Sequence, residues 1–204
     1  MTIALRDIET RDLDEVLKLN NEAGKSIVPI EAERLAQLER VARYFRVAEV
    51  NGQLAGFLVG LTREADYDSP NFSWFKHHCA DEGFLYIDRV VVSSNFRRHG
   101  IGRVLYSDVL SFAEVRFPVL SCEVFIEPRD DVSLIFFGTN DFTEVGQQVL
   151  PNQRQVSLMT KPLKPFEFVK ETYLDTGRRS QLPAYAREDR LSAGGGNWSD
   201  RKSA

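Results

Sequence analysis

Cysteine is scarce in this chain, and an excess of positive charge is missing altogether. Only Cys79 and Cys122 occur among 204 residues, with neither a Cys-x-x-Cys spacing nor the even framework of a small secreted domain. That argues against a disulfide scaffold and fits reduced thiols in a cytoplasmic protein. Lys and Arg number 26 against 30 Asp and Glu, for a formal net charge of −4. Nothing general therefore draws the chain to nucleic acid or an anionic membrane, and any basic site is local. No apolar run approaches the ~20 residues that span a bilayer. The opening MTIALRDIET meets charge at Arg6 and Asp7 before a signal-type core develops, so the expectation is a soluble chain with no membrane or nucleic-acid partner. The length suits one domain with a full hydrophobic core.

What is present is a regular alternation of strand and helix patterns. TIALRDIE alternates, with Ile3, Leu5 and Ile8 inward, and reads as a strand. Asp12, followed three residues on by Glu15, resembles a capping arrangement ahead of a helix with Leu13, Val16 and Leu17 on one stripe. Pro29 restarts the chain, and IEAERLAQLERVA puts Leu35, Leu38, Val41 and Ala42 on one face of a second helix. YFRVAEV and QLAGFLVGL, joined by Asn51-Gly52, form the signature of a hairpin with a type I′ turn. FLYIDRVVV (Phe84 to Val92) reads as a buried central strand, followed by a helix opening near Gly100 and closed by Pro118. VLSCEVFI (Val119 to Ile126), a short helix DVSLIFFG after Pro128, and the strands FTEVGQQ and RQVSLMT complete the order β-α-α-β-β-β-α-β-α-β-β. The expected boundaries are a domain over 1–163 and a flexible tail over 164–204, where periodicity fades and a Gly-Gly-Gly run appears.

From Thr62 to Gly83 no pattern holds, and the polar stretch is long for a plain connection. Tyr67, Phe72, Trp74 and Phe75 suit either an acceptor pocket or a folded-over loop, while Asp66, Asp68, Asp81 and Glu82 suit either attraction of a cationic amine or a solvated rim. His77-His78-Cys79 holds metal-ligand residue types, but adjacent residues seldom converge on one ion, so no metal site is expected.

NFRRHGIGRVLYSDVLSFAE, directly after the central strand, is the stretch richest in chemistry. A helix start carries unpaired N–H groups and about half a positive charge, which favours a phosphate. Gly100 and Gly102 let a ligand approach the main chain, and Arg97, Arg98 and Arg103 add cations for a diphosphate. A Walker loop is absent, and a dinucleotide fingerprint fails because Leu105 stands where a third Gly or Ala is needed. What remains is Arg/Gln-x-x-Gly-x-Gly/Ala, here Arg97-Arg98-His99-Gly100-Ile101-Gly102. With the element order over roughly residues 3–162, it resembles the acetyl-CoA motif of the GNAT superfamily of acyltransferases.

The resemblance implies a mixed, mostly antiparallel α/β sheet with helices on both faces, splayed between the motif strand and the strand at Val119 to admit acetyl-CoA. It implies that the amides of Arg98, His99, Gly100, Ile101, Gly102 and Arg103 hold the pyrophosphate. It further implies a bulge in the motif strand that offers main-chain groups of Val90, Val91 and Val92 to the pantetheine arm. Acetyl transfer to an amine needs a base, because an amine of pKa near ~10 is protonated at neutral pH. Asp88, on one strand face with Tyr86 by the period of two, is the first candidate, directly or through a water, and Glu123 on the neighbouring strand is the second. The other reading of Asp88 is a structural pair with Arg89. Along the helix after the Val119 strand the family carries Asn, a small residue and a Tyr that protonates the leaving thiolate; this chain has Asp130, Ser133 and Phe137 there. The Tyr hydroxyl is missing, which leaves water, Tyr86 or Ser133 as the proton source, or none, since a thiolate of pKa near ~8.5 leaves readily. The implied activity is N-acetylation of a primary amine, with a small-molecule acceptor expected. A protein N-terminus or lysine as acceptor, or a coenzyme A sensor without turnover, are the alternatives. A homodimer is compatible with this reading.

Overall fold

The Asn51-Gly52 pair takes left-handed φ values of 50° and 81°, and the two strands it joins, β2 (Tyr44–Val50) and β3 (Gln53–Thr62), form the expected antiparallel hairpin. The computed structural model describes residues 2–24, 27–79 and 83–182, apart from the side chain of Arg179. Around the hairpin stand β1 (Ile3–Asp7), β4 (Phe84–Val92), β5 (Val119–Glu127), β6 (Thr143–Val149) and β7 (Gln155–Pro162). They make one seven-stranded sheet in the order β1-β2-β3-β4-β5-β7-β6. Only the β4–β5 pair is parallel, so the mixed, mostly antiparallel sheet read from the sequence is the one observed.

Both faces of the sheet are covered, as its apolar strands require. On one face α1 (Leu13–Asn21), α2 (Ala32–Val41) and α3 (Pro70–His78) bury Val16, Leu38, Phe72 and Phe75 against Phe57, Val59 and Tyr86. On the other face α4 (Ile101–Ala113) and α5 (Asp131–Gly138) bury Leu105, Val109, Phe112 and Phe137 against Leu58, Leu85 and Leu120. At Gly56 the packing of α4 and β4 on β3 leaves no room for a side chain: a Cβ there would stand 2.6 Å from the Val91 carbonyl oxygen and 3.3 Å from Ile101.

Two features differ from the sequence reading. The Thr62–Gly83 stretch contains α3, whose start follows from Ser69 and Pro70: the Ser69 hydroxyl accepts from the Phe72 N–H and Pro70 occupies the first turn. Asp81 and Glu82 lie outside the described residues. Asp12 does not cap through Glu15; its carboxylate accepts the Glu9 N–H at 2.8 Å and grips Arg6 at 2.6 and 2.8 Å. Past residue 163 the chain continues as α6 (Glu167–Val169) and a wider helical turn, Lys170–Leu174. Val169, Tyr173 and Leu174 pack around Val115 and the buried Leu182. The remainder of the expected tail, 183–204, lies outside the described residues.

Candidate active site

Where β4 and β5 part, the fold opens. Their parallel pairing runs only from Phe84 opposite Val119 to Ile87 opposite Cys122. The next residue of β4 is a bulge: Val59 of β3 pairs with Arg89 and Gly60 with Ile87, leaving Asp88 as the extra residue. A bulge bends a strand and sharpens its twist, which turns the end of β4 away from β5. Between the diverging ends lies a cavity of about 1150 Å³, bordered by Val92, Gly100 and Gly102 toward α4 and by Tyr67, Asn71 and Glu123 toward α3.

The bulge falls at Asp88, earlier than the Val90–Val92 stretch to which the resemblance assigned it, and it reverses the alternation beyond. Phe84 and Tyr86 face the α1–α3 core, yet so does Val91, while Val90 and Val92 pack on the α4 side. A strict period of two would have put Val90 and Val92 with Tyr86. Val90, Val91 and Val92 all border the cavity.

At the α4 end, Gly100 is the N-cap with φ 81° and Arg98 takes φ 66°. These left-handed residues turn the chain sharply into the helix. The first helical hydrogen bond is made by the Val104 N–H to the Gly100 oxygen at 3.0 Å, so the Ile101, Gly102 and Arg103 N–H groups lie in the first turn, which has no intrahelical acceptor. A Cβ on Gly102 would meet only Val92, at 3.7 Å, and Gly102 borders the cavity. Arg97, Arg98, His99 and Arg103 are exposed around it. His99 Nδ1 lies 2.9 Å from the Arg97 carbonyl. Open amides, a bare glycine and flanking cations fit a diphosphate such as that of coenzyme A.

At the α3 end the side chains are acidic, phenolic and amide. The Tyr86 hydroxyl donates to Glu123 Oε2 at 2.5 Å, and the Asn71 side-chain amide lies near enough to hold the same carboxyl down. Burial pushes the Glu123 carboxyl up to about 7, helped by the charge of Asp88 and opposed by the Tyr86 and Asn71 hydrogen bonds. The residue as a whole is half-buried and borders the cavity. Burial likewise raises the Tyr86 phenol, with the Glu123 charge adding to it. Asp88 is engaged elsewhere. It pairs with Arg89 at 2.8 Å, and Arg89 in turn donates to Asn20 Oδ1 of α1 at 2.7 Å. Burial alone would lower Arg89, but the Asp88 carboxylate keeps it raised overall. Tyr67, with the Arg34 guanidinium 3.7 Å over its ring, borders the same end.

On α5 the three aligned positions have visible local duties. Asp130 caps the helix, accepting from the Ser133 N–H at 3.2 Å and the Ser133 hydroxyl at 2.6 Å. Phe137 is buried against Phe142, with ring centres 5.0 Å apart. All three border the cavity. His78 stacks on Trp74 at 4.5 Å, and His77 Nδ1 approaches the Ser73 carbonyl at 2.7 Å. Sequence reading missed Asn71 and Asn20. The Ser69-Pro70 start signal was available for α3, but nothing local marks an amide as facing Glu123.

The sequence model of the acetyltransferase (GNAT) family matches residues 11–131. No curated protein matches the chain in sequence. Among solved structures, the ribosomal-protein-S18-alanine N-acetyltransferase from Escherichia coli is similar at 15% identity and TM-score 0.61, covering 81% of this chain and 96% of that one. Ard1 from Thermoplasma volcanium reaches 18% and TM-score 0.63, with coverages of 80% and 99%. Arabidopsis thaliana NAA60, solved with a bisubstrate analogue, reaches 16% and TM-score 0.60, with coverages of 79% and 98%. At such identities these three share the fold.

Proposed function

The chain belongs to the acetyltransferase (GNAT) family, enzymes that take an acetyl group from acetyl-CoA, and we propose that it N-acetylates a small-molecule primary amine with Glu123 as general base. One observation carries this reading: a single cavity joins the open N-terminus of α4 to a carboxylate whose proton affinity lies near 7. Acetyl-CoA supplies an activated acetyl thioester. The α4 amides, Gly100, Gly102 and Arg97, Arg98 and Arg103 would hold its pyrophosphate, and main-chain groups of Val90 to Val92 its pantetheine arm.

Glu123 is preferred over Asp88 as base on two grounds. Both residues border the cavity, but the Glu123 carboxyl is poised to exchange a proton at neutral pH, whereas Asp88 is committed to Arg89. Tyr86 then orients Glu123 through its 2.5 Å hydrogen bond. A dedicated acid is not required, because a thiolate of pKa near ~8.5 is a good leaving group. A compact acceptor is favoured because α3 walls this end, with Trp74 lying against Gly146 of β6. The apolar side chains Ile27, Ile30 and Leu150 along the same cavity suit the body of such an amine.

A second reading, a protein N-terminal amine as acceptor, is favoured by the similar fold of the Escherichia coli enzyme named for a ribosomal-protein alanine. Turnover with acetyl-CoA, measured on a panel of small primary amines beside peptides with free N-termini, separates the two. The expected result is acetylation of the small amines. Turnover confined to peptides would replace the acceptor while leaving the base assignment standing.

A further inference from the structure

Asn71 sits in the first turn of α3, directly after Pro70, and is 5% exposed. Its amide lies near enough to Glu123 to hold that carboxyl down, yet its Oδ1 is buried with no hydrogen-bond partner among the described residues. Buried amide oxygens are nearly always matched, because leaving one unmatched costs free energy. The residue also borders the cavity that holds Glu123.

The chemistry of the two groups accounts for the unmatched oxygen. An ionised carboxylate only accepts hydrogen bonds, while a protonated one also donates, and a side-chain amide offers both a donor and an acceptor. With Glu123 ionised, the Asn71 N–H is the useful end. When Glu123 takes a proton, its new O–H needs an acceptor, and a half-turn of the amide about Cβ–Cγ presents Oδ1. We propose that Asn71 is a positioning residue that holds Glu123 in both protonation states, donating to the carboxylate before proton transfer and accepting from the carboxyl after it.

The inference rests on Glu123 being the base. The step moves one proton from the acceptor's ammonium group to the Glu123 carboxylate, and the proton leaves to water when product departs. The other polar groups facing Glu123 do not duplicate the role. Tyr86 of β4 is already its donor. Asp88 of β4 contributes charge and is tied to Arg89, Cys122 is its buried neighbour on β5, and the residue opposite on β7 is Leu158.

The test compares Asn71→Leu, Asn71→Asp and Glu123→Gln, alone and with Asn71→Leu added to Glu123→Gln. Each is read by kcat across pH and by acetyl-CoA affinity, which also reports folding. Asn71→Leu is expected to lower kcat roughly tenfold, about one hydrogen bond's worth, with acetyl-CoA affinity unchanged. Its acidic limb moves up by about one pH unit, because the charge-assisted bond lost from the ionised form is stronger than the neutral one lost from the protonated form. Asn71→Asp keeps the size of the side chain, removes the donor and moves the limb in the same direction. Added to Glu123→Gln, Asn71→Leu costs nothing further. An unmoved limb in either single variant, or an equal loss with and without Glu123, overturns the role of Asn71 alone. Wild-type turnover by Glu123→Gln overturns the base assignment and this role with it.

Discussion

Tyr86 of β4 and Glu123 of β5 are joined by a 2.5 Å hydrogen bond at the point where the two strands stop pairing. Glu123 is the first β5 residue past the last parallel pair, Ile87 with Cys122. The same divergence that opens the cavity therefore brings Glu123 onto its wall, which Asp88 and Asp130 also line, while the strand pairing just behind keeps the Glu123 carboxylate surrounded by protein. The proposed acceptor end of the site rests on this placement.

The pH dependence of Glu123 has a definite sign. Its carboxyl is raised from 4.5 to about 7 in the folded protein, so between those values the folded state holds a proton that the unfolded state has released. Stability from this group is full below 4.5 and is lost as pH rises through 7. The upper bound on that loss is on the order of 3 kcal/mol, reduced by screening from the open cavity that Glu123 borders. Glu123→Gln should match the wild type in thermal stability at pH 4 and exceed it at pH 8, measured by melting at both. Activity should move the other way: wild-type kcat rises through about 7 as the base ionises, and the Gln variant loses at least about a hundredfold in kcat.

Much of the fold could be read from local sequence, because its signals are local. The Asn51-Gly52 turn, the stripe on α4 and Pro118 each act within a few residues, and the order of elements along the chain followed from them. The glycine-rich start of α4 was equally legible, since its turn and open amides belong to the backbone. The acceptor end was not. Whether Asp88 or Glu123 is the available carboxylate depends on a one-residue bulge and on Arg89 reaching Asn20 across 69 positions, and neither has a local mark.

Asp88 and Arg89 supply a test of that division. Their pair is buried, with side chains 4% and 8% exposed. Breaking such a pair from one side typically costs about 3–5 kcal/mol, because a charge is left unmatched. Asp88→Asn should therefore lower the denaturation midpoint substantially, while the folded fraction keeps kcat within a few-fold of wild type. Chemical denaturation beside active-site-normalised turnover reads both. A collapse of kcat at unchanged stability would return the base to Asp88.

Gly102 separates cofactor binding from folding. A Cβ there meets only Val92 at an ordinary 3.7 Å, so Gly102→Glu leaves the fold close to native and places an anion in the first turn of α4. Repulsion at the diphosphate position should cost at least about a hundredfold in acetyl-CoA affinity. Calorimetric titration of acetyl-CoA into both proteins checks this. Equal affinity would move the pyrophosphate away from this helix start.

Gly146 tests whether α3 belongs to the acceptor site. A Cβ at this position would stand 2.8 Å from the far edge of the Trp74 ring, inside any permissible contact. Trp74 is held in turn by Phe75 at 5.2 Å and by the stack with His78, so the ring cannot yield without disturbing α3, which carries Asn71. Gly146→Ala should cost about 1–3 kcal/mol of stability by overpacking and shift the tryptophan fluorescence. If α3 forms the acceptor wall, KM for the amine rises while acetyl-CoA affinity, set at the α4 end of the cavity, stays unchanged. Equal changes in both would mean that α3 supports the whole fold and does not shape the acceptor pocket in particular.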